Sequence, residues 1–162
     1  MRLARAAAVV ALAASAASAA PPETLDLTAF FAGRTHGENR MKLAIGRPKS
    51  LIIDSIGKKA ANGAFILTDT VREEGKPVRE RRWVMRPAGR GRFTGSLTDA
   101  IGPVDVQVSG TQATIRYSMK GGLRIDQRLD LQPGGRTLSN QATVRKLGLK
   151  VGRVDGIVRK LD

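Results

Sequence analysis

From Val104 to Leu131 the chain reads VDVQVSGTQATIRYSMKGGLRIDQRLDL, with apolar and polar residues in close alternation. Val104, Val106 and Val108 share one parity, Ala113, Ile115, Tyr117 and Met119 the next, and Leu123, Ile125, Leu129 and Leu131 the last. Asp105, Arg116, Arg124, Asp126, Arg128 and Asp130 fill the opposite parity. A period of two sends successive side chains to opposite faces of a pleated strand, so the segment reads as three strands with one wet face. Gly110 and the Gly121-Gly122 pair separate the strands by connections too short for a parallel crossover. The unit is therefore an antiparallel meander.

Its register follows from the turns. A two-residue turn at Gly110-Thr111 sets Val108 against Ala113, Val106 against Ile115 and Val104 against Tyr117, apolar on apolar. A two-residue turn at Gly121-Gly122 would set Met119 against Arg124 and mix the faces. A three-residue loop, Lys120-Gly121-Gly122, restores Met119 to Leu123 and Tyr117 to Ile125, and is the expected connection.

The same logic extends outward. Before Gly33, Leu25, Leu27, Phe30 and Phe31 read as a helical turn that plugs one end of whatever the strands enclose. Arg34 to Leu43 is strand-like but weakly patterned, and Lys49 to Ile56 holds the dense run Leu51-Ile52-Ile53. A hairpin centred on Gly75 pairs Phe65 with Met85, Leu67 with Trp83, Asp69 with Arg81 and Val71 with Arg79. Gly89 to Leu97 is the next strand. After the meander, Thr137 to Val144 pairs Leu138 with Leu131, Asn140 with Leu129 and Val144 with Ile125. From Leu149 to Leu161 the parity changes near Gly152, the mark of a bulge. About ten short strands with no amphipathic helix of ordinary length predict an all-β, up-and-down antiparallel meander. Closing it into a barrel buries the apolar face and removes the unpaired edges; a flattened sandwich is the competing solution.

Several polar residues fall on the inward parity: Asp69, Arg81, Tyr117, Gln127 and Asn140. An unpaired buried polar group costs about 1–3 kcal/mol, so these need partners or a wet cavity. Asp69 opposite Arg81 is the sharpest case, a cross-strand charge pair. The candidate ligand-binding set is Phe65, Leu67, Asp69, Arg81, Trp83, Met85, Tyr117, Met119 and Gln127, with apolar walls and a polar anchor. The alternative is a structural ion pair in a barrel filled by its own side chains.

The residue inventory narrows the chemistry. With one histidine, His36, and no cysteine, no metal site and no cofactor is expected. No nucleophile–base pair stands out, so the reading leans away from an enzyme. Lys and Arg number 28 against 14 Asp and Glu, a formal net charge of +14. That excess suits anionic lipid headgroups or another polyanion. Nucleic acid is not expected, because the four Phe, one Trp and one Tyr are scattered rather than grouped as a stacking platform.

Residues 1–19 carry Arg2 and Arg5, an apolar run from Ala6 to Ala14 and the small residues Ala17-Ser18-Ala19. Together these read as a secretory signal peptide, leaving residues 20–162 as a single periplasmic domain that folds without disulfides.

Several phrases also resemble a bacterial envelope family known only as a domain of unknown function, serial number thirty-eight thirty-three. They are FFAGRTHGENRMKL, Glu74-Gly75 followed by Arg81-Arg82-Trp83, GSLTDAIGPVDVQVSG leading to Arg116-Tyr117, and NQATVRKLGLKVGRV. The similarity runs from about Leu25 to Val158, and its most specific pieces are R-x-W and the Lys146, Gly148, Gly152 spacing. The resemblance implies a lipocalin-like, or calycin, barrel in the cell envelope, with no established activity. Many members are lipoproteins, whereas this chain lacks the anchoring cysteine; it also has Asp126-Gln127 where relatives show Asp-Asp-Trp. By analogy with calycin barrels, the expected ligand is a lipid, a fatty acid or another small amphipathic molecule.

Overall fold

The computed structural model describes residues 23–162; the leader read over residues 1–19 lies outside them. A short helix α1 (Leu27–Phe31) is followed by ten strands: β1 (Gly33–Leu43), β2 (Lys49–Lys59), β3 (Phe65–Glu73), β4 (Arg79–Pro87), β5 (Arg92–Leu97), β6 (Ala100–Ser109), β7 (Gln112–Met119), β8 (Leu123–Leu131), β9 (Thr137–Lys146) and β10 (Leu149–Lys160). Every strand pairs antiparallel with its sequence neighbour, and β1 closes on β10 to complete a barrel. Closure leaves no sheet edge to pair with another chain.

The expected pairings are present from Phe65↔Met85 to Val71↔Arg79, and from Ile125↔Val144 to Leu131↔Leu138. Ser109↔Gln112 leaves a two-residue turn, Met119↔Leu123 leaves the three-residue loop, and the bulge sits between Lys150 and Gly152. Two details differ. Val104 does not stand directly against Tyr117, because β6 shifts register between Ile101 and Asp105. The strand expected from Gly89 starts at Arg92, because Gly89, Arg90 and Gly91 all have positive φ and form a turn closed by Arg92 N donating to Gly89 O at 3.0 Å.

The greasy parity points inward. Trp83, Leu97, Val104, Val106, Ala113, Ile115, Leu129 and Leu138 form one buried cluster with Leu25 and Phe30 of the N-terminal segment. Outward positions such as Arg72, Arg82, Arg116, Arg124 and Arg128 are exposed. This is the reverse of a membrane-spanning barrel, whose apolar band faces out.

Helix α1 caps one end. Asp26 accepts the Ala29 N–H at 2.9 Å as its N-cap, and Lys160 Nζ donates to the Ala29 and Phe30 carbonyls, each at 3.2 Å. Leu25 N donates to Gly110 O at 2.9 Å, seating the segment on the β6–β7 turn. Gly57 makes the fit possible, since a Cβ there would lie 2.0 Å from the Phe31 carbonyl oxygen.

Candidate functional site

Between the α1 cap and the barrel's middle lies a cavity of ≈ 100 Å³. Leu27 and Phe31 form its roof, and Phe65, Leu67, Met85 and Phe93 stand among its walls. A wider depression of ≈ 630 Å³ lies beside α1 and shares Leu27, Thr28, Phe65 and Phe93 with it, so those four side chains separate the interior from the surface.

The cavity ends on a polar belt. Asp69 is 2 % exposed, and its carboxylate receives three side-chain donors. Ser55 Oγ donates to Oδ1 at 2.7 Å; Arg81 Nε and Trp83 Nε1 donate to Oδ2 at 2.7 and 2.8 Å. Three donors, one of them a cation, satisfy a buried carboxylate that would otherwise be costly. The Arg81 guanidinium carbon also lies 5.4 Å from the Trp83 ring centroid, a cation–π contact. Only Nε of Arg81 is engaged by a side chain in the structure, and the residue lines the cavity.

On the opposite wall a chain of amides completes the belt. Gln127 Nε2 donates to Asn140 Oδ1 at 2.8 Å, Asn140 Nδ2 to Asn39 Oδ1 at 2.8 Å, and Asn39 Nδ2 to Leu51 O at 3.3 Å. Asn39 and Asn140 belong to strands separated by β10, and both are in register with Gly156. The amides meet across that strand only because Gly156 has no side chain: a Cβ there would lie 2.4 Å from Asn39 Oδ1.

Of the nine residues expected from sequence, Phe65, Leu67, Asp69, Arg81, Trp83, Met85 and Gln127 line this cavity. Tyr117 and Met119 do not. Tyr117 packs edge-on against Trp83, ring centroids 5.7 Å apart at 86°, beyond the belt. Burial pushes its phenol pKa above the ordinary value. Asn39 and Ser55 complete the belt without having been expected there. Around Asn39 the inward residues of β1 are Thr35 and Gly37, which carry no hydrophobic period, and Ser55 on β2 is a lone small polar residue. His36 sits on the outer wall, its Nδ1 2.6 Å from Asp54 Oδ1, and this contact is the main cause holding the Asp54 carboxyl below its usual pKa.

Solved structures share the architecture. The S-type phycobiliprotein lyase CPES from Guillardia theta matches with a TM-score of 0.66 at 6 % identity, over 85 % of this chain and 91 % of that one. A protein of unknown function from the DUF3598 family of Nostoc punctiforme matches with a TM-score of 0.66 at 10 % identity, over 86 % of this chain; this chain spans about half of that protein, 51 %. Rv2717c from M. tuberculosis matches with a TM-score of 0.56 at 15 % identity, over 82 % of this chain and 93 % of that one. At these identities the likeness is one of fold. None of the curated proteins matches the sequence. The family model described as "Protein of unknown function (DUF3833)" matches residues 7–160, and the chain belongs to that family.

Proposed function

We propose that this protein binds a slender amphipathic molecule, such as a fatty acid or a single lipid chain, inside its barrel. One observation carries the reading: an apolar cavity under α1 ends on Arg81, whose Nε is held by Asp69 while the rest of its guanidinium is left for a ligand. Apolar walls reward an alkyl chain at about 0.8 kcal/mol per buried methylene. A guanidinium fork suits a carboxylate or phosphate. The ≈ 100 Å³ of the inner cavity sets the limit, so a longer chain would extend past Phe65 and Phe93 into the outer depression.

The setting we propose is the periplasm, on the strength of the basic, apolar and small-residue pattern of residues 1–19. Native mass spectrometry of protein taken from its own host tests the proposal. A mass excess matching a lipid or fatty acid, lost in Arg81→Met, supports it. A bare polypeptide mass that takes up no added fatty acid means a filled barrel, and overturns it.

A further inference from the structure

The barrel end away from α1 carries apolar side chains that no internal contact explains. Leu43, Ile45, Leu147 and Leu149 are 42, 91, 91 and 72 % exposed. They sit on the tips of adjacent hairpins, because Ala44 N donates to Val151 O at 2.9 Å and Leu43 is in register with Gly152. Val78 and Ile101, also exposed, lie at the same end.

Leu147 is the most telling of these. Lys146 pairs with Leu149, which leaves Leu147 and Gly148 as a two-residue turn, and both have positive φ, 50° and 80°. Such a turn favours asparagine, aspartate or glycine at its first position, where the left-handed backbone strains a larger residue. A leucine there costs stability and, fully exposed, returns none through burial. Strain kept at an exposed position points to a use outside the fold.

The charges around the tips select the partner. Lys42, Lys120, Lys146 and Lys150 are exposed and in no ion pair among the described residues. Most acids towards this end are already engaged: Glu73 by Lys76, Glu74 by Arg47, Asp99 by Arg79, Asp126 by Arg116 and Arg145, and Asp155 by Arg153; Glu80 and Asp105 are in no ion pair among the described residues, and the four lysines outnumber them. Aliphatic tips ringed by flexible, uncompensated ammonium groups match the boundary between acyl chains and anionic headgroups.

We infer that the β1–β2 and β9–β10 hairpin tips dock this protein on an anionic lipid surface, with Ile45, Leu147 and Leu149 entering the headgroup layer. The surface lies at the opposite end from α1, so the inference stands whether or not the cavity is occupied.

Co-sedimentation of the full chain with phosphatidylcholine vesicles, with and without an equal part of phosphatidylglycerol, tests it. The chain should favour the anionic vesicles. Ile45→Asn, Leu147→Asn and Leu149→Asn combined should weaken that binding at least tenfold, and Leu147→Asn alone should leave Tm unchanged or raise it. Hydrogen exchange on the vesicle-bound chain should show protection at both tips. Equal binding by the triple variant, protection confined to the α1 end, a Tm lowered by Leu147→Asn, or a dimer that the triple variant dissolves would each overturn the inference.

Discussion

Asp69 and Arg81 stand opposite each other on β3 and β4, and the carboxylate oxygen that Arg81 Nε reaches at 2.7 Å also takes the Trp83 indole N–H at 2.8 Å. One acceptor thus fixes the guanidinium and the indole together. The belt's geometry rests on that oxygen.

Removing it should be costly. Asp69→Ala leaves a buried cation and a buried indole N–H without their acceptor, and breaking such a pair costs about 3–5 kcal/mol. Asp69→Leu combined with Arg81→Met removes both charges and should cost far less. Urea denaturation of both variants checks this; equal losses would mean that the pair is not coupled.

Gly156→Ala should destabilise by about 1–3 kcal/mol, since a Cβ would lie 2.2 Å from the Glu38 carbonyl oxygen and 2.4 Å from Asn39 Oδ1. Asn39 must then move and release Asn140. Thermal unfolding gives the magnitude, and a Tm equal to that of the parent chain would refute the close approach.

The two halves of this belt differ sharply in how far the sequence exposes them. On β3 and β4 the alternation is strong, and centring the turn on Gly75 brings Asp69 to Arg81 by counting alone. On β1 the inward residues are Thr35, Gly37 and Asn39, and the outward ones are Arg34, His36, Glu38 and Arg40, so both faces are polar and periodicity is silent. The Asn39–Asn140 contact joins residues 101 apart in sequence and depends on a missing Cβ between them, which no pattern of polarity encodes. Tyr117 shows a different limit. Its inward parity was legible, but Trp83, against which it packs edge-on, lines the cavity in its place.

The α1 cap should weaken in acid. Hydrogen bonds from the Ala29 N–H and the Thr28 hydroxyl hold the Asp26 carboxyl below its usual pKa. Its contribution is therefore present above the unfolded-state value of about 3.9 and is lost as pH falls through the lower folded-state value. Asp26→Ala should cost at most about 1 kcal/mol at neutral pH, given its exposure, and nothing once the parent carboxyl is protonated. Stability curves of both chains against pH should converge in acid; a constant gap would show that charge plays no part.

Tyr117 is the only tyrosine, so its ionisation can be followed directly by phenolate absorbance. Burial raises its pKa, and a raised value means that stability is complete below about pH 10 and declines as pH climbs through the folded-state value. The phenolate signal should appear above pH 10 in the folded chain, and Tyr117→Phe should lessen the alkaline loss. Titration at the ordinary value would contradict the burial behind Trp83.

The most direct test of the barrel as a container is a titration with straight-chain carboxylic acids of increasing length, read by the fluorescence of Trp83, the sole tryptophan. Binding to the apolar cavity predicts saturable one-to-one curves whose affinity rises about fourfold per methylene, levels off once the cavity is full, and falls at least tenfold in Arg81→Met. No saturable response at any length, or affinities indifferent to both chain length and Arg81, would contradict it.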